Sequence, residues 1–332
     1  MIYDCFTFFN ELDLLEVRLN TLAPIVDRFV IAEATRTHRG QPKALLFEKN
    51  RERFAAFADK IIYVVVDDLL TEAEISKDVF NLPWCNENRQ RNALMRGIAN
   101  LRDDDIVLIS DLDEIPRPER LREAIEFARR GEVVRLDMAN YAYFLNFRNG
   151  TNPHWGAGTV VASGSVFTQK KSPLDRIPCD RYLVAEENRG RTFTRLRFAR
   201  EDRRLRDGGW HFSYLGGVDK IMYKLASYSH SEVSTIPREA VARRLAEGAD
   251  VFGHGERFFA DELKPGAFPD YVLAHRDRFA DFIQPCDQEY LKRTALSRKL
   301  AYAKGAVSRF RASLIPAPVV RVLSAWRHRP KG

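Results

Sequence analysis

Cysteine is scarce and scattered in this chain of 332 residues. The four cysteines form no C-x-x-C pair, so they have neither the spacing of a zinc module nor that of a disulfide framework. We therefore expect free thiols and a reducing, cytoplasmic setting. The four are Cys5, Cys85, Cys179 and Cys286.

Long apolar runs are also missing. No stretch approaches the roughly 18 apolar residues that a membrane-spanning helix requires. Residues 1–5 begin directly with a strand-like pattern and lack the basic and apolar regions of a signal peptide. These absences predict a cytoplasmic protein whose contact with a membrane is peripheral.

Acidic residues are absent from the C-terminal tail, residues 291–332. The tail carries eleven Lys or Arg, whereas the whole chain has 53 basic and 46 acidic side chains, so the rest of the chain is mildly acidic. That balance argues against nucleic acid as a partner. Pro316 and Pro318 split the tail into two basic amphipathic segments, which favour binding to an anionic membrane surface. The alternative is a solvated terminal helix that packs on the body.

Strand and helix signals alternate over residues 1–130. Alternation of this kind predicts an α/β fold with a mainly parallel sheet and helical crossovers. Strands are predicted at 2–9, 29–34, 61–66 and 106–109, and helices at 11–22, 49–59, 87–100 and 119–130.

Aromatic residues, Gly and Asn become frequent after Gly131, where the pattern changes. We expect residues 131–290 to form an α+β half that covers one face of the first. Further strands are predicted at 160–167 and 192–198, and a helix at 237–247. The expected organisation is one large domain over residues 1–290, followed by the tail.

The most distinctive segment is the apolar run 106–109 with the carboxylates that follow it. Asp111 and Asp113 are two residues apart, so on an extended backbone their side chains leave on the same side. They stand at the carboxyl end of a predicted strand, where ligands of parallel sheets bind. Two carboxylates there repel each other unless a cation lies between them, and oxygen ligands suit Mg²⁺ or Mn²⁺. The competing interpretation is an acidic turn that caps the next helix.

A second distinctive segment, residues 207–217, has glycine pairs on both sides of an aromatic stretch around His211. Glycine lets a backbone approach a ligand closely, and histidine is a suitable third metal ligand. We therefore expect His211 to meet Asp111 and Asp113. A core histidine bonded to the backbone is the alternative.

The two segments together resemble glycosyltransferase family 17. The strings that carry the resemblance are I-S-D-L-D-E-I-P at 109–116 and G-G-W-H-F-S-Y at 208–214. Residues 3–11, 33–35 and 40–43 are similar to the same family, and the resemblance runs over residues 1–290. The family includes the bisecting β-1,4-N-acetylglucosaminyltransferase of N-glycan processing, and the lack of an anchor favours a bacterial-type member.

The resemblance implies a GT-A-like fold with a nucleotide-sugar-binding half at 1–130 and an acceptor-side half at 131–290. It implies an inverting glycosyltransferase that moves N-acetylglucosamine from UDP-GlcNAc to a glycan or lipid-linked glycan. Asp111 and Asp113 would hold Mn²⁺ or Mg²⁺ against the diphosphate. His211 would make a further contact to the metal or the diphosphate. The ion would offset the charge that develops when UDP leaves.

Several other side chains are candidates by position. Each also has a structural interpretation. Glu33 would cap a helix or loop, the lone cations would be solvated, and a buried tryptophan would pack in the core. The candidates for donor binding are Thr7, Glu33, Arg39, Lys43, Arg89 and Trp210.

Inversion requires a carboxylate that accepts the proton of the acceptor hydroxyl. The sequence does not single it out, and the candidates are Glu114, Glu187 and Asp207. Two other functions remain open. A metal-dependent phosphohydrolase would use one aspartate as nucleophile and release phosphate without sugar transfer. A non-enzymatic, membrane-associated scaffold would bind no nucleotide.

Overall fold

The framework of the fold, in the part of the chain that the structure describes, is one eleven-stranded sheet. The structure is a computed structural model that describes residues 1–74, 82–176, 190–201, 203–227 and 236–313. The predicted base Glu187 and the two prolines of the tail lie outside the described residues. The strands of the first half are β1 (Ile2–Phe8), β2 (Arg28–Ala34), β3 (Ile61–Val66) and β4 (Ile106–Asp111).

These four strands are parallel and lie in the order β3-β2-β1-β4, which confirms the predicted parallel sheet. Helices connect them as expected, although the segment 49–59 differs. It is a short α-helix followed by a 3₁₀ segment, Arg51–Lys60, with non-helical backbone angles at Phe54. The α-helices are α1 (Leu12–Leu22), α2 (Leu46–Lys49), α3 (Leu82–Ala93) and α4 (Pro118–Arg129).

The second half extends this sheet, so the prediction that it covers one face is incomplete: its Phe193 and Leu196 join the core on one face, but its strands continue the sheet. β9 pairs antiparallel with β4, whose free edge would otherwise expose main-chain groups, and β6 pairs antiparallel with β9. β10 then runs parallel to β6 and antiparallel to β5. The strands are β5 (Glu114–Pro116), β6 (Val134–Ala142), β7 (Phe147–Asn149), β8 (His154–Trp155), β9 (Val160–Ser163), β10 (Arg203–Ser213) and β11 (Phe258–Ala260).

The strand predicted at 192–198 is also wrong, because this segment is a helix. Thr192 is its N-cap, and the threonine hydroxyl accepts the N–H of Arg195. The strand predicted at 160–167 ends at Ser163, and the helix predicted at 237–247 is confirmed at Arg238–Ala246. The helices are α5 (Ser165–Thr168), α6 (Phe193–Arg197), α7 (Gly217–Ser227), α8 (Arg238–Ala246), α9 (Asp270–Ala274) and α10 (Gln288–Ser313). Among the described residues, none of these helices has the length and apolarity to cross a membrane.

Both faces of the sheet are buried. In β1, Phe6 and Phe8 belong to the core on one face, whereas Tyr3 and Cys5 belong to the core on the other. This alternation follows from the two-residue period of a strand, and it explains why the strands of the first half are almost continuously apolar.

A buried ion pair joins the first helix to the first strand inside this core. Arg18 of α1 is inaccessible to solvent, and its guanidinium binds Asp4 of β1 through two hydrogen bonds of 2.8 and 2.5 Å. The same guanidinium donates to the main-chain carbonyls of Asp111, Leu112 and Glu114 at 3.2, 3.2 and 2.8 Å. It therefore fixes the turn that follows β4 to the first helix and the first strand.

We expect Arg18→Met to lower the free energy of unfolding by about 3–5 kcal/mol, because it leaves the buried carboxylate of Asp4 without its cation. Arg51→Met is the matched control. Its ion pair with Glu48 is exposed, so the loss should stay within about 1 kcal/mol. Urea unfolding of the three proteins measures both values, and equal losses in the two variants would contradict the assigned role of Arg18.

Candidate active site

A cavity of about 720 Å³ opens at the carboxyl ends of β1 and β4. Thr7 of β1 lies beside Asp111 of β4 in the register of the sheet, and both side chains line the cavity. Asn140 at the end of β6 and His211 on β10 line it from the second half. The cavity therefore lies where an open α/β sheet binds its ligands, and both halves of the chain form its wall.

A short turn places the two aspartates. β4 ends at Asp111, Leu112 inserts into the core, and the chain resumes as β5 at Glu114. Because β5 pairs with β10 so that Glu114 lies opposite His211, the histidine is brought next to Asp113. A pairing between residues 97 positions apart in the chain thus assembles the predicted partners.

Two arginines hold Asp111. Its carboxylate accepts from Nη2 of Arg91 at 3.2 Å and from Nη2 of Arg197 at 3.5 Å. Burial alone would raise the pKa of Asp111, but Arg197 and Arg91 outweigh burial and hold that pKa below its ordinary value. Asp111 is therefore ionised at neutral pH.

Asp113 and His211 face each other. Nε2 of His211 lies 3.9 Å from Oδ1 of Asp113, while Nδ1 lies 3.4 Å from Oδ1 of Asn140. Burial lowers the pKa of His211, so the ring is neutral at pH 7. The bond to Asn140 assigns the proton to Nδ1, which leaves the lone pair of Nε2 towards the carboxylate. The indole of Trp155 stacks on the ring, with centroids 4.3 Å apart.

This facing pair fits a divalent cation, since two acceptor groups have no proton between them. Mg²⁺ and Mn²⁺ need few protein ligands when water and substrate oxygens complete their coordination. Asp111 does not join the pair in the structure, because its oxygens face the two arginines. Accordingly, no group of three His, Cys, Asp or Glu side chains with metal-binding geometry exists among the residues described. In the structure, Nζ of Lys224 lies 3.2 Å from Oδ2 of Asp113.

Glu114 does not line the cavity and is locked in place by hydrogen bonds. It is inaccessible to solvent and accepts from Nη2 of Arg197 at 2.6 Å, from the indole N–H of Trp155 at 2.7 Å and from the N–H of Asp111 at 3.2 Å. With its acceptor positions occupied in this way, Glu114 stabilises the turn and does not present a free oxygen to a substrate.

The other predicted residues separate into two groups. Thr7 and Lys43 line the cavity. Glu33 is buried and caps α2, since it accepts from the N–H groups of Leu46 and Phe47. This matches the structural alternative stated for it above.

Four further predicted residues lie away from the cavity. The indole of Trp210 is buried and donates to the carbonyl of Ala267, so it offers no free face for stacking. Asp207 lies where the pairing of β10 with β6 shifts register. The guanidinium groups of Arg39 and Arg89 donate to the main-chain carbonyls of Leu225 and Asp68.

Several residues of the cavity wall were missed. Trp84, Glu87 and Arg91 recur at the spacing of one helical face, a signal that could have identified Arg91 in place of Arg89. Arg197 was hidden in a segment predicted to be a strand. Lys224 of α7 has no local signal, because its partners Glu11 and Asp113 are more than a hundred residues away.

His38 lines the cavity and has one ring nitrogen that is buried without a partner among the described residues. The amide of Gln90 donates to the carbonyl of Ala32 at 2.9 Å, so its oxygen is left to accept from Nε2 of His38 at 2.9 Å. Burial lowers the pKa of His38, so the ring is neutral and Nδ1 is an acceptor. Both Nδ1 of His38 and Nε of Arg91 are buried without a partner among the described residues. Such orphaned groups indicate a polar ligand.

Strained backbone occurs in two residues that line the cavity. Tyr143 and Tyr214 are not glycines, yet they have φ values of 70° and 55°. Each directly follows the last residue of its strand, β6 or β10, and both side chains line the cavity together with Phe252. Strain of this kind concentrates at functional sites. The rings of Tyr214 and Phe252, 5.5 Å apart, give the cavity an aromatic wall.

Residues 1–172 match the model of glycosyltransferase family 17. Proteins named beta-1,4-mannosyl-glycoprotein 4-beta-N-acetylglucosaminyltransferase are 32% identical to the chain in Homo sapiens and Rattus norvegicus, and 31% identical in Mus musculus. Each alignment covers 113 residues, which is 32% of this chain and 20% of the relative. The chain thus matches about a fifth of the length of these relatives. The family match contains Asp111 and Asp113 but ends before His211.

Proposed function

Because the chain belongs to glycosyltransferase family 17, we propose that it is an inverting, GT-A-like enzyme that moves N-acetylglucosamine from UDP-GlcNAc to a glycan. The supporting observation is the facing pair of Asp113 and His211 in a cavity at the carboxyl end of the parallel strands. The name of the relatives supports the choice of sugar and of a glycan acceptor.

We propose that Asp113 and His211 hold Mn²⁺ or Mg²⁺, and Asp111 stays a predicted ligand. When bound, the ion would offset the negative charge of the departing diphosphate as a Lewis acid. Lys224 lies close enough to Asp113 to contribute a second positive charge to the same phosphate oxygens. Arg91 and Arg197 keep Asp111 ionised beside this site.

The uracil base is assigned to the side of the cavity that His38 lines. Uracil has an N–H at position 3, which can donate to the unpartnered Nδ1 of His38. Cytosine has a lone pair at the same position, and two lone pairs repel each other. The chain of hydrogen bonds through Gln90 to Ala32 keeps the donor hydrogen on the far nitrogen of the imidazole. His38 is therefore proposed to select uridine over cytidine nucleotides.

The aromatic wall is assigned to the acceptor. Tyr143, Tyr214 and Phe252 belong to the second half of the chain and line the cavity. Apolar ring faces can pack against the C–H groups of a sugar.

Helix α10 is proposed to bind an anionic membrane surface. Leu296, Leu300, Val307 and Phe310 are more than half exposed, and spacings of four, seven and three residues place them on one helical face. The opposite face packs on the body, where Arg298 binds Asp261. Lys292, Arg293 and Lys299 flank the apolar face, and residues 291–313 contain no acidic residue. Apolar residues flanked by cations match an anionic lipid surface in both properties.

The metal proposal predicts that Asp113→Asn abolishes the effect of Mn²⁺ on UDP binding, because the variant keeps the size of the side chain but loses its charge. Removal of a residue that only supports a metal ligand costs roughly 10- to 100-fold in metal affinity. Loss of the ligand itself should cost at least as much. Calorimetry with UDP, with and without Mn²⁺, measures it, and Asp207→Asn is the matched control. Mn²⁺-dependent binding by a folded Asp113→Asn protein would refute the assignment.

The same titrations separate the remaining alternatives. If Asp111→Asn loses the Mn²⁺ effect as completely as Asp113→Asn, both carboxylates hold the ion. Phosphate release from UDP-GlcNAc without sugar transfer would favour a phosphohydrolase. Absence of UDP binding under every condition would favour a scaffold.

The uracil proposal predicts that wild-type protein binds UDP more tightly than CDP and that His38→Ala removes most of this preference. An unpaired buried polar group costs roughly 1–3 kcal/mol, so the preference should fall by about one to two orders of magnitude. Competition of CDP with UDP measures it. His275→Ala, an exposed histidine outside the cavity, should behave as wild type. An unchanged UDP/CDP ratio in His38→Ala would show that another group reads the base.

The membrane proposal predicts that full-length protein sediments with vesicles containing phosphatidylserine at low salt and is released by salt, because screening weakens the attraction. The double variant Leu300→Ser/Phe310→Ser should remain in solution. Tyr302→Ser removes an equally exposed ring from a different side of α10, so it should still sediment. Failure of the wild-type protein to sediment at low salt, or sedimentation of the double variant, would contradict the proposal.

A further inference from the structure

An inverting sugar transfer needs a carboxylate that accepts a proton, and neither of the two sequence candidates that the structure describes supplies it. Glu114 has its acceptor positions occupied, Asp207 lies away from the cavity, and Glu187 lies outside the described residues. The base must therefore be sought among the carboxylates that line the cavity. In the described ranges these are Glu11, Glu87, Asp111, Asp113, Glu201, Asp250 and Glu256.

Five of these seven carboxylates form ion pairs with lysine or arginine, which stabilise the negative charge and weaken the carboxylate as a base. The partners are Lys224 for Glu11 and Asp113, Arg91 for Glu87 and Asp111, and Arg135 and Arg204 for Glu201. A sixth, Asp250, is occupied by the main-chain N–H groups of Phe252, Gly255 and Glu256.

Glu256 is the exception. It lies in the loop between α8 and β11, and it has no lysine or arginine partner among the described residues. Its Oε2 accepts from the side-chain amide of Asn149 at 2.7 Å. Asn149 is itself fixed, because its oxygen accepts the N–H groups of Thr151 and Asn152. One oxygen of Glu256 is thus held in place, and Oε1 has no hydrogen bond to any described residue.

The position of Glu256 matches the acceptor side of the cavity. Phe252 of the same loop belongs to the aromatic wall, and Tyr143 precedes β7, the strand that carries Asn149. We propose that Glu256 is the general base that accepts the proton of the acceptor hydroxyl. This inference rests on the proposed sugar transfer.

The reaction step is balanced. The acceptor O–H proton passes to Oε1 of Glu256 while the acceptor oxygen forms its bond to the anomeric carbon of the donor. The bond from that carbon to the β-phosphate oxygen breaks, and its electron pair leaves with UDP. Water then removes the proton from Glu256, which restores the carboxylate.

The surroundings of Glu256 suit this role. Burial raises the pKa of Glu256, the hydrogen bond from Asn149 lowers it, the charge of Asp250 raises it and His254 lowers it, with a net increase above the usual value. Tyr143 is the other titratable group that interacts with it, and burial raises the pKa of that phenol to a value at which it stays neutral. A carboxylate with a raised pKa is a better proton acceptor than an ordinary one.

The test is Glu256→Gln, which keeps the shape and can still accept a hydrogen bond from Asn149. We expect kcat for sugar transfer to fall by about 10²- to 10⁴-fold, while the Kd for UDP stays within about twofold of the wild-type value, since the proposed donor contacts do not include Glu256. Glu262→Gln is the matched control, because its carboxylate is exposed and paired with Lys264. The control should retain wild-type kcat.

The pH profile provides a second readout that a structural role would not change. Wild-type kcat should fall as the pH drops through the pKa of Glu256, and this acidic limb should be missing in Glu256→Gln. Asn149→Asp keeps the acceptor for the two main-chain N–H groups but places a second negative charge beside Glu256. It should therefore shift the acidic limb to higher pH.

The outcomes distinguish this inference from the proposed function. If wild-type protein neither binds UDP nor transfers sugar, the proposed function fails. If wild-type protein transfers sugar and Glu256→Gln does so within about tenfold, with an unchanged acidic limb, Glu256 is not the base. Loss of UDP binding in a folded Glu256→Gln protein would also overturn the inference, because it would assign Glu256 to the donor.

Discussion

The buried guanidinium of Arg18 is the interaction on which the geometry of the cavity depends. It binds Asp4 of the first strand and three main-chain carbonyls of the turn that carries the two aspartates. A buried arginine without acceptors is very costly, so the turn cannot move away from the first helix while the protein stays folded. The turn that carries both aspartates is in this way held by a cation that is inaccessible to solvent.

The same need to compensate buried charge distributes roles within the cavity. Glu114 and Asp111 are held by arginines and stabilise the wall, whereas Asp113 faces a lysine and a neutral histidine. Glu256 has no lysine or arginine partner among the described residues. The carboxylates thus range from fully compensated to uncompensated, and their proposed functions follow this order: structure, cation binding and proton transfer.

Continuity of the sheet brings the two halves of the chain to one site. β9 and β6 continue the sheet beyond β4, and β10 returns beside β5, so that His211 reaches Asp113. This close approach needs glycine: a Cβ on Gly209 would lie 2.1 Å from the carbonyl oxygen of Ile115. The glycine pair before His211, visible in the sequence, is therefore a packing requirement of the strand pair.

Local patterns in the sequence were sufficient for the parallel strands, their helices and the family resemblance, because periodicity and motif spacing are properties of neighbouring residues. They were insufficient for residues 192–198, whose strand-like composition is overridden by the N-cap Thr192, and for the placement of the second half of the sheet. Whether a polar side chain faces a cavity or a main-chain group depends on packing between distant segments. Glu33 caps a helix and Trp210 lies in the core for this reason. Lys224, Arg197 and Glu256 were identified only by the tertiary structure, since their partners are up to 213 positions away in the chain.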